Sequence, residues 1–196
     1  MTTTAGVPTD IRFTTPGDWV ALHLPHTEAE VTAVVDRLVA RDPELESRRP
    51  LVEAVLRGLS EASRVANCLY AGGAFLPLPG GPLPVTLLVN ALPLVAIGDP
   101  PDLARAAAAI DSDGHRHHSS AEVDLPCGPA ARIEWLQAAQ LASSGTEVMS
   151  FFTQYVVTPR DTAMVLVLTF SSPAVAIADR LQKLFRDIAA SLEIVP

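Results

Sequence analysis

Apolar positions along the chain follow two periods, and the switches between them mark the elements. Short strands are predicted at 11–13 and 20–24, flanking the turn Thr15-Pro16-Gly17-Asp18. Val20, Leu22 and Leu24 share one face of the second, with Trp19 and His23 on the other. The period then changes to that of a helix. Over 27–41 the capping box Thr27-x-x-Glu30 precedes a stripe of Val31, Val34, Val35 and Leu38. Asp42-Pro43 breaks this helix. A second starts near Pro50, which suits a first turn, and turns Val52, Val55, Leu56, Leu59 and Ala66 inward.

Residues 70–76 read as a strand with a weak point at Gly72-Gly73. The stretch 77–84, with Gly80-Gly81, is a turn-rich link to a strand at 85–92, and 102–110 has the alanine-rich make-up of a short helix. Residues 111–120 are polar and read as a loop. Strands at 121–125, 131–137, 147–157 and 163–170 follow, separated by Pro/Gly/Ser turns, so adjacent strands should pair antiparallel. The last of them is apolar on both faces, which calls for cover on both sides. In the closing helix, Ser172 and Pro173 read as N-cap and first residue. Ile177, Leu181, Leu184, Phe185, Ile188 and Leu192 form its stripe.

At 196 residues and 48% hydrophobic, the chain is expected to fold as one domain over 11–196 behind a flexible start at 1–10. Charge narrows the partners: 14 basic and 22 acidic residues give −8, the wrong sign for nucleic-acid phosphates or anionic lipid. Membrane insertion is not expected either, because the most apolar run, 83–97, is too short and is broken by Pro84, Asn90 and Pro93. Residues 1–10 lack a secretory pattern and a lipid-acceptor cysteine, so the expected location is the cytoplasm.

Candidate chemistry gathers in 111–127. His115, His117 and His118 stand behind Asp111 and Asp113 as candidate metal ligands, since imidazole and carboxylate suit first-row metals. The spacing does not make a known site. Counted as a calcium loop from Asp111, Glu122 falls at the twelfth position, but Gly114 and Arg116 occupy the fourth and sixth. Cys127 is a candidate nucleophile, with no local cation or helix terminus to activate it, and Cys68 reads as a small core residue. Glu134, Asp161 and His23 are further groups that a fold can bring into one cleft. Trp19, Trp135 and Tyr155 are aromatic candidates for interface anchors. Phosphate-loop, dinucleotide, nucleophile-elbow and H-E-x-x-H signatures are missing from the sequence, which calls for no cofactor.

Several segments share a familiar succession. They are the opening Phe13-Thr14-Thr15-Pro16-Gly17-Asp18-Trp19, a helical segment, and strands around Leu125-Pro126-Cys127-Gly128-Pro129-Ala130-Ala131-Arg132. Gln154-Tyr155-Val156-Val157 and Leu168-Thr169-Phe170-Ser171-Ser172-Pro173 follow, then a helix ending Phe185-Arg186-Asp187-Ile188-Ala189-Ala190-Ser191-Leu192. This succession resembles the PsbP-like superfamily, which includes a photosystem extrinsic subunit, a Ran-binding nuclear import factor and many small actinobacterial proteins. The resemblance implies an α+β fold: an antiparallel β-sheet sandwiched by helices, with the C-terminal helix packed across the sheet. The segment 27–66 then counts as a long helical insertion. Members act mainly as binding or assembly factors, and the resemblance supplies no catalytic residue.

The expected function is therefore a non-enzymatic, cytosolic protein-binding or assembly factor, an accessory to specialised secretion being one such role. Its partner surface is expected at 27–66 or in the loop 77–84. The alternative is a metal-dependent or cysteine-based small-molecule enzyme using 111–127. A third reading is a homodimer joined through a sheet edge or the terminal helix.

Overall fold

The computed structural model describes residues 10–22, 26–66, 68–93, 116–140, 147–160 and 162–195. Its centre is an antiparallel sheet of seven strands: β2 (Val20–Leu22), β3 (Cys68–Leu76), β4 (Leu83–Pro93), β5 (Arg116–Leu125), β6 (Gly128–Gln140), β7 (Glu147–Val157) and β8 (Met164–Ser172). Their spatial order is β2-β3-β4-β8-β7-β6-β5. The strand that is apolar on both faces, β8, thus takes the middle place, paired with β4 on one side and β7 on the other. The predicted meander from β5 to β8 forms in sequence order.

Helices cover both faces. Across one lies α3 (Ala178–Ala190), whose Phe185 stacks at 4.5 Å on Phe170 and at 6.4 Å on Phe151, above Leu87, Tyr155 and Leu168. The other face carries α1 (Glu28–Arg41) and α2 (Arg49–Val65), joined by a 3-10 turn at Pro43–Arg48. Val34, Val35, Leu38, Val52, Leu56 and Leu59 pack there on Leu22, Ala71 and Phe75. The capping box at Thr27 and Glu30 forms, with both reciprocal bonds in place.

Gly72-Gly73 does not interrupt β3. A Cβ on Gly72 would run into the Tyr70 hydroxyl and the Val20 carbonyl oxygen, so glycine is what lets the Tyr70 ring lie over its own strand. At the β5–β6 hairpin, a Cβ on Gly128 would collide with the carbonyl oxygen of Thr158. Gly80 and Gly81, both at positive φ, make the turn before β4, and Gly81 N–H donates to Leu78 O at 2.9 Å.

The strands flanking Thr15-Pro16-Gly17-Asp18 take separate partners, and two expectations elsewhere need correction. β1 (Asp10–Arg12) joins β9 (Glu193–Val195) in a separate two-stranded sheet, while β2 pairs with β3. The chain after β1 is held by the edge-on contact of Phe13 with Tyr70 at 4.6 Å and by Thr14 N–H on Ser191 Oγ at 2.8 Å. Ser172 is not the N-cap of the last helix. Its Oγ donates to Pro84 O at 2.8 Å and accepts from Ala174 N at 3.1 Å, which holds a turn, and a 3-10 segment at Val175–Ile177 precedes α3. Finally, the loop expected at 111–120 is strand from Arg116 onward, paired with β6 through a register shift between Arg116 and Ser119. The helix expected at 102–110 lies outside the described residues.

Candidate functional site

Alongside α2 runs an apolar trough with a volume of about 550 Å³. Leu51, Val55 and Leu59 of α2 form one wall. Leu88 of β4 and Val148 and Phe152 of β7 form the floor and far wall. The register explains why these distant segments meet. Thr86 pairs with Ser171 and Ser171 with Phe152, so all three rise from the face of the sheet that carries α1 and α2. The two hydroxyls on the floor satisfy each other, Thr86 Oγ1 lying 2.7 Å from Ser171 Oγ. Phe152 is backed by Trp135, stacked at 5.1 Å and nearly parallel.

The low side of the trough is Gly58 and Ala62, both exposed on α2. A Cβ added at Gly58 meets nothing within 4 Å. Glycine inside a helix costs about 1 kcal/mol relative to alanine. No turn and no close contact among the described residues calls for it here. What it leaves is room beside the helix backbone. None of the described residues lining the trough is titratable, and apart from the hydroxyls of Thr86, Ser150 and Ser171 its side chains are apolar.

The trough joins both regions expected to hold a partner surface, 27–66 through α2 and the loop 77–84 through Leu83 and Pro84 at its end. Arg48 Nη2 further ties the loop to the helical layer by donating to Gly80 O at 3.4 Å.

No family model and no curated protein matches the chain. Among solved structures it is similar to the crystal structure of LpqN involved in cell envelope biogenesis of Mycobacterium tuberculosis. The identity is 15% and the TM-score 0.48, with 97% of this chain and 86% of that chain covered. The likeness transfers no residue and no activity.

The other candidates are scattered. Asp111, Asp113, His115, Asp161 and His23 lie outside the described residues. His117 and His118 fall in β5, at the edge of the sheet, where only their backbone is described. Cys127 occupies the two-residue turn between β5 and β6. Burial pushes its thiol up, against smaller lowering effects from a backbone hydrogen bond and from Arg160. Cys68 is likewise pushed up by burial, and its thiol donates to Asn90 Oδ1 at 2.6 Å. Both shifts leave less thiolate at neutral pH, the opposite of what a nucleophile needs.

Glu134 is 8% exposed, accepts from Ser119 Oγ at 3.3 Å and pairs with Arg132 Nε at 3.4 Å. It stands opposite Thr153, on the face turned away from the trough. Tyr155 is a core side chain set edge-on to Phe170 at 6.1 Å. Trp135 serves the trough at second hand, through Phe152. Gly58, Leu88, Val148 and Phe152 were not singled out as functional by the sequence. The available signal was a glycine in the middle of an amphipathic helix.

Proposed function

We propose that the protein is a non-enzymatic accessory factor that binds an apolar segment of a protein partner in the trough beside α2. The observation that carries this reading is Gly58, which keeps one side of a 550 Å³ apolar trough low at a cost to its own helix. A low wall of Gly58 and Ala62 suits a polypeptide backbone lying against the helix better than a small molecule, which is usually enclosed over most of its surface. The lack of titratable groups among the described lining residues favours holding over catalysis. The resemblance to a superfamily of binding and assembly factors supports the same class of function.

An uncharged, environment-sensitive dye such as Nile red tests whether the trough takes up apolar matter. Binding with blue-shifted emission is expected for the wild type, together with at least a tenfold loss in Gly58→Trp, whose indole occupies the same space. Equal dye binding by the two proteins places the apolar site elsewhere and contradicts the proposal.

A further inference from the structure

A second recess, of 340 Å³, lies at the other flank of the helical layer, between α1 and the edge strand β2. Trp19, Val20, Ala21 and Leu38 give it apolar walls, and Arg37 and Arg41 stand one helical turn apart beside them. Arg41 is held in place by the chain itself, its Nη1 donating to Gly17 O at 3.3 Å and its Nη2 to Asp18 O at 2.8 Å. Among the described residues these two bonds use only part of its guanidinium's five donors. Acids on the neighbouring helical surface are engaged elsewhere, Asp36 with Arg49 at 2.8 Å and Glu28 with Arg57 at 3.5 Å. Among the described residues Arg37 has no carboxylate in ion-pair range. In a chain of net charge −8, two arginines with no carboxylate in ion-pair range among the described residues, around a tryptophan-walled recess, are a local reversal of sign.

We infer that this recess binds an acidic, extended peptide segment through Arg37 and Arg41, with an apolar side chain of the segment against Trp19 and Leu38. Two observations favour a peptide. Val20 and Ala21, which line the recess, belong to the first strand of the sheet, which pairs with β3 on one side only among the described residues. The spacing also fits. Side chains four apart on a helix have Cβ atoms about 5–6 Å apart, close to the roughly 6.6 Å between alternate residues of an extended strand. Two acids separated by one residue therefore reach the two guanidinium groups together. The inference is independent of the trough beside α2.

The chain has two tryptophans, so its ¹⁵N-edited spectrum carries two indole N–H signals. Trp19 reports on the recess. Trp135, stacked on Phe152, is the internal control. Titration uses acetyl-Val-Glu-Val-Glu-Val-amide, the same peptide with glutamine for glutamate, and inorganic phosphate. The glutamate peptide is expected to shift the Trp19 signal and leave Trp135 in place. The glutamine peptide should bind at least tenfold more weakly, and Arg37→Gln and Arg41→Gln should each weaken binding about fivefold or more, since charge-assisted bonds are lost. The Arg37 variant, altered at an exposed position, should unfold at the wild-type temperature. Equal binding of the glutamine peptide, no shift at Trp19, or binding unchanged in both variants overturns the inference. An equal shift with phosphate alone overturns the peptide assignment.

Discussion

If Gly58 is kept for the space it leaves, filling that space should not harm the fold. Gly58→Ala removes the glycine penalty of the helix interior, a gain of about 0.8–1.0 kcal/mol. A domain of this size moves by roughly 2–4 °C per kcal/mol, so the melting temperature should rise by about that much. Gly58→Trp recovers part of the same propensity and adds an indole of about 200 Å². If the trough covers half of it, about 100 Å² leaves water, worth roughly 2.5 kcal/mol at 25 cal/mol per Å². Its melting temperature should therefore equal or exceed that of the wild type. Calorimetry gives the temperatures, and urea unfolding with an unchanged m value shows that the native and unfolded ensembles are comparable. A lower melting temperature for Gly58→Ala would refute the reasoning, because it would mean that the glycine serves the packing of α2.

Phe185→Ala empties the stack between Phe151 and Phe170 and should cost about 3–5 kcal/mol in urea unfolding. A loss below 1 kcal/mol would show that α3 does not anchor its face of the sheet. Cys127 should react with a disulfide reagent at pH 7 more slowly than free glutathione does, because burial raises its pKa. Faster reaction would restore the nucleophile reading. Tyr70, pushed up to about 12 by burial, binds its proton more tightly folded than unfolded. Its contribution to stability is whole below pH 10 and is lost as pH rises from 10 toward 12, which urea midpoints across that range will show. A midpoint independent of pH there, in wild type but not because of other groups as judged by Tyr70→Phe, would contradict the burial of its hydroxyl.

The elements that carry their own local signals were legible in the sequence. Thr27 and Glu30 announce α1, the stripe through Phe185 announces α3, and the two-sided apolarity of β8 places it at the centre of the sheet. Pairing between distant segments was not legible. Nothing near Asp10 says that its strand joins Glu193–Val195, because the tie is made by Phe13 on Tyr70 and by Thr14 on Ser191. Ser172 followed by proline looks like a helix start in one dimension. In three, its hydroxyl is claimed by Pro84, which β4 brings alongside. The trough was hidden for the same reason, being assembled from α2, β4, β7 and β8 by strand register. Only Gly58 hinted at it, and a lone glycine becomes informative once its open surroundings are known.

The most direct test of the proposed function is a photo-crosslinking amino acid at position 62, on the low wall of the trough, in the otherwise native protein expressed in its own host. Irradiation should join it to a discrete partner protein at an apolar segment, identified by mass spectrometry, and the added Gly58→Trp change should abolish the product. Crosslinking that is absent, or that persists undiminished with Gly58→Trp, would contradict the account.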